Sequence, residues 1–377
     1  MHELVLSGGH VIDPASGRDE IADIAFSGGQ VTAIGAGLSG AERRDATGCL
    51  VLPGLIDLHT HVYVGGTSLG VDPDAYARKS AVTTCVDTGS AGPGNFAGFR
   101  DHVIAAAQAR VLAYLHVSFA GIYAFSSRIM VGESGDMRLM APVDAVEVAR
   151  DNPDRIIGIK VRVGRHASGS SGIAPLDIAL EVADRAGLPL MAHIDEPPPS
   201  YADVVSRLRP GDVLTHCCRP FPNAPVTGSG AVIESVLAAR ARGVIFDVGH
   251  GKGSFSWPVA RAMAAAGFWP DVISSDVHTL CIDGPAHDLL TTMTKFLALG
   301  MEMPALIRAV TEAPAAAIRR PDLGRLVPGG VGDASLVRLV DGPVALTDVQ
   351  GETVTHHQTF QAAGLVIGGR WVAPGDA

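Results

Sequence analysis

The stretch LPGLIDLHTH (Leu52–His61) reads as a strand that is apolar on both faces and ends in two histidines. Strands of this kind belong to parallel sheets whose two faces are both covered by helices. An open, doubly wound sheet that binds a nucleotide would place a glycine-rich phosphate turn after such a strand. The His-Thr-His ending favours the other arrangement, a closed barrel of strands and helices.

Further apolar runs follow this strand, and Ala-rich stretches with helical periodicity separate them. The predicted strands are Val51–His59, Val82–Asp87, Val111–Val117, Ile156–Val161, Leu188–His193, Asp212–His216, Val244–Val248 and Val272–Asp276. Alternating units of this kind are typical of α/β proteins, and eight of them are typical of closure into a ring. The sequence therefore predicts a (β/α)8 TIM barrel over residues 53–325.

Both ends of the chain have a different pattern, in which short alternating segments are punctuated by glycine. We predict that residues 1–52 and 326–377 together form one small β-sandwich domain. Two long segments of the barrel, 119–140 and 217–231, follow its third and sixth strands. Loops of this length serve as lids, substrate walls or subunit contacts, and the sequence leaves these three roles open.

Composition excludes several classes of protein. The chain has 377 residues, of which 47% are hydrophobic, and its net charge is -10. Because an acidic chain repels the phosphate backbone, nucleic acid is not an expected partner. Its five cysteines form no CxxC pair, which indicates a reducing compartment rather than a disulfide scaffold. Neither a signal peptide nor an apolar run of about 20 residues is evident, so we expect a cytoplasmic protein without membrane contact.

Polar side chains recur at the carboxyl ends of the predicted strands. His59 and His61 are two residues apart, so they point to the same face of a strand. Any one histidine could equally be a hydrogen-bonded core or surface residue. A barrel, however, gathers its strand ends around one axis, and the combined set predicts a metal centre. The set is His59, His61, Lys160, His193, His216 and Asp276.

Lys160 ends the fourth strand among apolar neighbours. A charged ammonium is costly to bury there, so the pKa of the side chain falls. The neutral amine can then add carbon dioxide to form a carbamate, N6-carboxylysine, whose two oxygens can bridge two metal ions. The alternative is an ordinary lysine that pairs with a carboxylate such as Asp276.

LPGLIDLHTH, taken with the other four candidate ligands, resembles the amidohydrolase superfamily over the whole chain. The resemblance implies a hydrolase with two divalent metal ions; zinc is expected, although nitrogen and oxygen ligands also suit Mn, Co or Fe. His59 and His61 would bind one ion with Asp276. His193 and His216 would bind the other, and carboxylated Lys160 would bridge. Asp276 would be the catalytic proton shuttle, serving water that the metals activate to hydroxide.

Within the superfamily, KVRVG (Lys160–Gly164) and GHGKGSFSW (Gly249–Trp257) resemble a dihydroorotase-like deacetylase group. Members of that group cleave acetyl esters of α-hydroxy acids, such as acetyl-(R)-mandelate. Dihydroorotases usually carry Arg two residues after the second histidine, where this chain has Tyr63. The resemblance therefore implies a deacetylase or esterase for a small-molecule carboxylate, with ester and amide both open, and it implies a homo-oligomer.

Four further residues are candidates for substrate binding. Arg162 shares a strand face with Lys160 and could hold a carboxylate through two hydrogen bonds. Lys252 lies between two glycines that would allow a ligand to approach the backbone. Tyr63 could donate a hydrogen bond to the substrate, and His278 could contact the substrate or orient Asp276. For each of them a purely structural role remains the alternative.

The sequence leaves two alternative functions open. Cyclic amide hydrolysis, of the dihydroorotase or hydantoinase type, would use the same metal centre. A non-catalytic relative that acts as a binding protein is disfavoured, because all six candidate ligand positions are filled.

Overall fold

The computed structural model describes residues 1–375. Its strands are β1 (His2–Asp13), β2 (Arg18–Ser27), β3 (Gln30–Gly35), β4 (Gly40–Asp45), β5 (Leu50–Pro53), β6 (Leu55–Thr60), β7 (Val82–Thr88), β8 (Arg110–His116), β9 (Ile156–Val163), β10 (Leu190–Ile194), β11 (Val213–Leu214), β12 (Ile245–Phe246), β13 (Ala334–Thr347), β14 (Thr353–Ile367) and β15 (Arg370–Val372).

The α-helices are α1 (Pro73–Ser80), α2 (Phe96–Phe99), α3 (Pro142–Asp151), α4 (Ala174–Ala186), α5 (Tyr201–Val205), α6 (Glu234–Ala241), α7 (Trp257–Ala265), α8 (Leu289–Ala298), α9 (Met303–Arg308) and α10 (Glu312–Ala317). A π-helical turn, Arg100–Ile104, continues α2. In the part of the chain that the structure describes, no helix is long and apolar enough to cross a membrane.

A curled parallel sheet forms the centre of the molecule. Its strands, β6 to β12, lie side by side in the order of the chain, and helices connect most neighbours. Every residue of β6, β7 and β9 is buried. Strands buried on both faces confirm that the apolar runs belong to an α/β protein with a parallel sheet.

The eighth predicted strand, Val272–Asp276, is not a regular strand. It makes single parallel bridges, Asp247 to Val272 on one side and Thr60 to Val277 on the other. The backbone of Asp276 has φ +49°, which is outside the extended region and interrupts pairing. The structure therefore contains a curled seven-stranded sheet with an irregular eighth segment, and a complete TIM barrel is not confirmed.

The two ends of the chain meet in a second sheet. It contains β1–β5 and β13–β15 in the order β15-β14-β13-β5-β1-β2-β3, and β4 pairs with the first half of β1. Both ends of the chain therefore contribute strands to one continuous sheet, and the predicted β-sandwich is not confirmed. The sheet is attached to the helical layer at Trp257, whose indole N–H donates to the Leu346 carbonyl at 3.1 Å.

Candidate metal centre

Three predicted ligands meet at the carboxyl end of β6. The Nε2 atoms of His59 and His61 lie 3.2 and 3.1 Å from the same oxygen, Asp276 Oδ1. One ligand atom from each residue lies within 4.8 Å of the others, and all three residues are buried. Two imidazole nitrogens and a carboxylate at this spacing form a candidate site for one metal ion.

The rings are held so that Nε2 faces this centre. Thr215 donates its only hydroxyl hydrogen to Asp247 at 2.7 Å, so it must accept from His59 Nδ1 at 2.8 Å. His216 Nδ1 is 2.7 Å from the Gly249 carbonyl, which can only accept. In both rings Nδ1 therefore carries the hydrogen, and Nε2 keeps its lone pair for a metal. Such outer partners fix the orientation of metal-binding histidines.

His193 and His216 form an adjoining pair, with ring centroids 4.5 Å apart. His216 is also 5.1 Å from His59 between centroids. Burial lowers the pKa values of His59, His193 and His216 well below the ordinary range. All three rings are thus neutral at pH 7, which is the form that binds metals.

Two buried nitrogens in this cluster have no hydrogen-bond partner within residues 1–375: Lys160 Nζ and His193 Nε2. Buried polar atoms are nearly always paired, so each such exception calls for an explanation. Burial lowers the pKa of Lys160 to about 7, against the attraction of Asp276, which gives a large fraction of neutral amine. The donor set and its unpaired atoms fit divalent metal ions and a carboxylated lysine.

The backbone around the centre is unusual. His216 and Asp276 have φ of +71° and +49°, a conformation that non-glycine residues rarely adopt and that is often found at functional sites. Gly249 and Gly251 also have positive φ, and a Cβ on either would collide with Thr215 or Asp276 respectively. Gly251 makes room for the Asp276 carboxylate, while the approach of a ligand to the backbone beside Lys252 stays a prediction.

A cavity of about 310 Å³ opens above the centre. Three of the four predicted substrate-binding residues line it: Arg162, Lys252 and His278. Tyr63 is not among the lining residues. Its ring packs on Phe99, with centroids 4.6 Å apart, and its hydroxyl donates to the Asn95 carbonyl. The structure thus places Tyr63 outside the lining of the cavity, in contacts that fit the structural alternative.

Comparison with known proteins identifies the family. The model of the amidohydrolase family matches residues 50–372. The chain belongs to the amidohydrolase family. A deacetylase of Agrobacterium fabrum is 34% identical over 355 residues, which are 93% of this chain and 86% of the relative. Together with the buried His, Lys and Asp cluster, these findings show that the chain is a hydrolase.

Two solved structures are similar to this amidohydrolase over nearly their whole length. A crystal structure of a dihydroorotase has a TM-score of 0.91 at 33% identity and covers 99% of both chains. A crystal structure of an adenine deaminase has a TM-score of 0.91 at 28% identity and covers 99% of this chain and 100% of its own.

Sequence reasoning missed several residues of the amidohydrolase centre. Asp247 is fully buried and accepts hydrogen bonds from Thr215 and Ser274. Burial raises its pKa to about 7, against these hydrogen bonds. Its position at the end of the predicted strand Val244–Val248 was a usable signal, because the metal ligands end strands in the same way.

Both long loops contribute to the wall of the cavity. The 119–140 segment supplies Ile122, Phe125 and Met130, and Leu69 extends this apolar surface. The 217–231 segment supplies Arg219, three residues after His216, which the sequence analysis also missed. The sequence left three roles open for these loops: lid, substrate wall or subunit contact. In the structure, both loops contribute to the wall of the candidate site.

Proposed function

We propose that this amidohydrolase uses two divalent metal ions, with zinc expected, to cleave an acetyl ester or amide of a small carboxylic acid. O-acetyl-(R)-mandelate represents the substrate class. One observation carries the proposal: unpaired Lys160 Nζ and His193 Nε2 lie among three further histidines and Asp276, beneath a cavity with cationic and apolar walls.

In the proposed centre, His59, His61 and Asp276 would hold one ion, and His193 and His216 would hold the other. Lys160 would serve both ions as N6-carboxylysine, formed when its neutral amine adds carbon dioxide and the carbamic acid loses a proton. This assignment gives a partner to the unpaired buried nitrogens. When bound, the two ions would supply Lewis-acid activation of a water molecule and of the substrate carbonyl.

Asp276 is the proposed proton carrier. Burial raises the pKa of Asp276 to about 6, although His278 and Lys160 oppose the shift. A bound divalent cation would lower this pKa, so the carboxylate is ionised at neutral pH and can accept a proton. It takes a proton from the attacking water as the new C–O bond to the acyl carbon forms. It then delivers this proton to the leaving atom as the acyl bond breaks. That atom is the alcohol oxygen of an ester or the amine nitrogen of an amide.

A second candidate function is cyclic amide hydrolysis, as in dihydroorotases and hydantoinases. The likeness to a solved dihydroorotase, at 33% identity over 99% of the chain, is the observation that favours it. Two observations stand against it. One is the similarity to a deacetylase. The other is Tyr63, which occupies the sequence position where dihydroorotases usually carry a carboxylate-binding Arg and which packs outside the cavity.

We also propose that the curled sheet closes as a (β/α)8 barrel over residues 53–325, flanked by a two-part β-domain of residues 1–52 and 326–377, of which 376–377 lie outside the described residues. Hydrogen bonds from both sheet edges to the segment 272–277 support closure. His61 N–H donates to the Val277 carbonyl at 2.9 Å, and Val248 N–H donates to the Val272 carbonyl at 3.1 Å.

The function is tested on protein purified with zinc or manganese and bicarbonate. Metal content is measured beside the hydrolysis of O-acetyl-(R)-mandelate, N-acetyl amino acids and dihydroorotate. We expect bound metal and turnover of an acetyl substrate above that of dihydroorotate. Preference for dihydroorotate would select the second candidate, and a protein that binds no metal would be a non-catalytic relative.

Asp276→Asn supplies the mechanistic control for the same assay. The variant keeps a side chain of the same size but cannot accept the proton, so we expect turnover to fall by about 10²–10⁴-fold while some metal is retained. Full turnover in this variant would remove Asp276 from the proton-transfer role.

A further inference from the structure

The 119–140 loop carries a buried carboxylate, Glu133, that contacts side chains of β8 and β9. Its Oε1 lies 3.1 Å from His116 Nε2 and 2.9 Å from Arg162 Nε. His116 Nδ1 accepts from the Ser118 N–H at 2.9 Å, so the ring hydrogen is on Nε2 and points to Glu133. Glu133 thus links the loop to both strands.

Glu133 is an ionised partner for Arg162. Burial raises the pKa of Glu133, but the charge of Arg162 and the hydrogen bond from His116 outweigh it and hold the pKa below its ordinary value. The loop is also seated closely beside this carboxylate. Ser134 N–H donates to the Ala167 carbonyl at 3.1 Å, and a Cβ on Gly132 would collide with the backbone of His166 and Ala167.

The guanidinium of Arg162 is fixed at two points. Its Nε lies 2.9 Å from Glu133 Oε1 in an ion pair that lacks hydrogen-bond geometry, and its Cζ lies 4.9 Å from the ring centroid of Phe125. Within residues 1–375 its only ion pair is made through Nε, and the residue lines the cavity. The two terminal nitrogens, Nη1 and Nη2, are therefore left for a ligand, in the fork geometry that matches a carboxylate.

Arg162 also lies at the right depth. It is two residues beyond Lys160 on β9, on the same face, and about 6–7 Å further towards the cavity mouth, because a strand rises about 3.3 Å per residue. In the sheet register it lies opposite His193 on β10. A ligand whose acyl group reaches the metal centre can thus place a nearby carboxylate at Arg162.

The other two cations of the cavity are less suited to this role. Arg219 donates through Nη1 to the Ile194 carbonyl, which occupies part of its fork. Lys252 is exposed at the rim, and an ammonium offers a point charge rather than a two-pronged fork. Arg162 is the cavity cation that is both buried and presents free terminal nitrogens.

We propose, on the basis of the proposed function, that Arg162 receives the carboxylate of the substrate and that Glu133 is the positioning residue that holds it. Phe125, with Ile122 and Met130, then forms the wall for the substituent on the α-carbon. The substrate class is 2-acyloxy or 2-acylamino carboxylates with an apolar or aryl substituent. Esters that lack the carboxylate are poor ligands.

Calorimetric binding of (R)-mandelate and of its neutral amide to the metal-loaded protein tests this assignment without turnover. For Arg162→Met we expect mandelate affinity to fall about 100-fold, as for loss of a charged, two-pronged hydrogen bond, while amide affinity is unchanged. Arg162→Lys falls between, because it keeps the charge and loses the fork. Glu133→Gln weakens mandelate about tenfold and has no further effect in the Arg162→Met background.

Arg138→Met is the matched control, because Arg138 pairs with Asp136 at the exposed end of the same loop; it should alter neither ligand. Equal losses for mandelate and amide in Arg162→Met would make Arg162 a structural residue and overturn the proposal. So would a carboxylate-selective loss in Lys252→Met but not in Arg162→Met, or a wild-type protein that does not bind mandelate.

The same variants separate this inference from the proposed function. A protein that binds mandelate through Arg162 but does not hydrolyse its O-acetyl ester rejects the proposed function alone. A protein that hydrolyses the ester, but whose Arg162→Met variant does not discriminate against the carboxylate, rejects the inference alone.

Discussion

Two lysines, Lys160 on β9 and Lys295 on α8, are fully buried in this chain, and burial lowers the pKa of each to about 7. Their amines differ in one respect. Lys160 Nζ has no hydrogen-bond partner among the described residues, whereas Lys295 Nζ has three. Burial and a shifted pKa therefore do not by themselves indicate a functional lysine. The hydrogen-bond partners distinguish the two.

Lys295 connects three segments of the molecule. It donates to His250 Nε2 at 2.6 Å, to the Thr347 carbonyl at 2.7 Å and to the Pro285 carbonyl at 3.0 Å. His250 Nδ1 donates to the Gly251 carbonyl, so its Nε2 is free to accept. Lys295 is a structural tether, whereas the Lys160 amine has no such partners among the described residues, as its proposed carboxylation requires.

The largest effect is expected for Lys160→Met. This residue would supply a bridging metal ligand. Loss of a residue that only hydrogen-bonds a metal ligand costs up to about 100-fold, so we expect kcat/KM to fall by more than about 100-fold when the ligand itself is lost. Metal content should fall too, whereas urea unfolding of the metal-free protein should show no loss of stability, since no hydrogen bond is lost. A variant with normal metal content and turnover would break the comparison.

The same replacement at the tether, Lys295→Met, should act on stability instead. It leaves His250 Nε2 and two carbonyls buried without a donor, and each unpaired group costs about 1–3 kcal/mol, so we expect the free energy of unfolding to fall by about 3 kcal/mol. Turnover should fall far less than in Lys160→Met. Urea unfolding and kinetics of both variants measure this contrast, which is lost if Lys295→Met unfolds like the wild type.

A smaller effect concerns pH. Lys295 loses its proton near pH 7 in the folded chain and near its ordinary 10.5 in the unfolded chain. Between these values unfolding takes up a proton, so the wild type gains stability relative to Lys295→Met as pH rises, by up to about 1.4 kcal/mol per unit. Unfolding free energies of both proteins at pH 7, 8 and 9 give the slope. Parallel curves would show that burial does not shift this lysine.

The smallest effect is expected for Tyr63→Phe, which sets the baseline. The change removes one hydrogen bond to the Asn95 carbonyl, outside the cavity, so stability should fall by no more than about 1.5 kcal/mol. KM and kcat should match the wild type. A rise in KM for the acetyl substrate would return Tyr63 to the substrate site.

The sequence predicted the site best where a strand continues past the residue concerned. Arg162 shares the face of Lys160 because β9 extends to Val163. Tyr63 lies beyond the end of β6 at Thr60, so no alternation of strand faces indicates the direction of its side chain. Strand ends, and hence the metal-centre candidates, follow from apolar runs, which a single sequence displays directly.

Site residues that lie on long loops could not be predicted from the sequence. Glu133 and Arg219 reach the site from long connections whose course no periodicity fixes. The irregular eighth strand has a related cause: the positive φ of Asp276 is imposed by its surroundings, including the space beside Gly251, and local propensity would not predict it.

The attachment of Trp257 and Lys295 to residues 346–348 has a consequence for protein engineering. The Trp257 backbone N–H also donates to Asp348, at 3.0 Å, so three consecutive residues, 346–348, accept hydrogen bonds from α7 and α8. An expression truncation that stops before β13 would not yield a minimal catalytic fragment. Insertions at 346–348 would break these bonds and loosen the attachment of α7 and α8 to the terminal sheet.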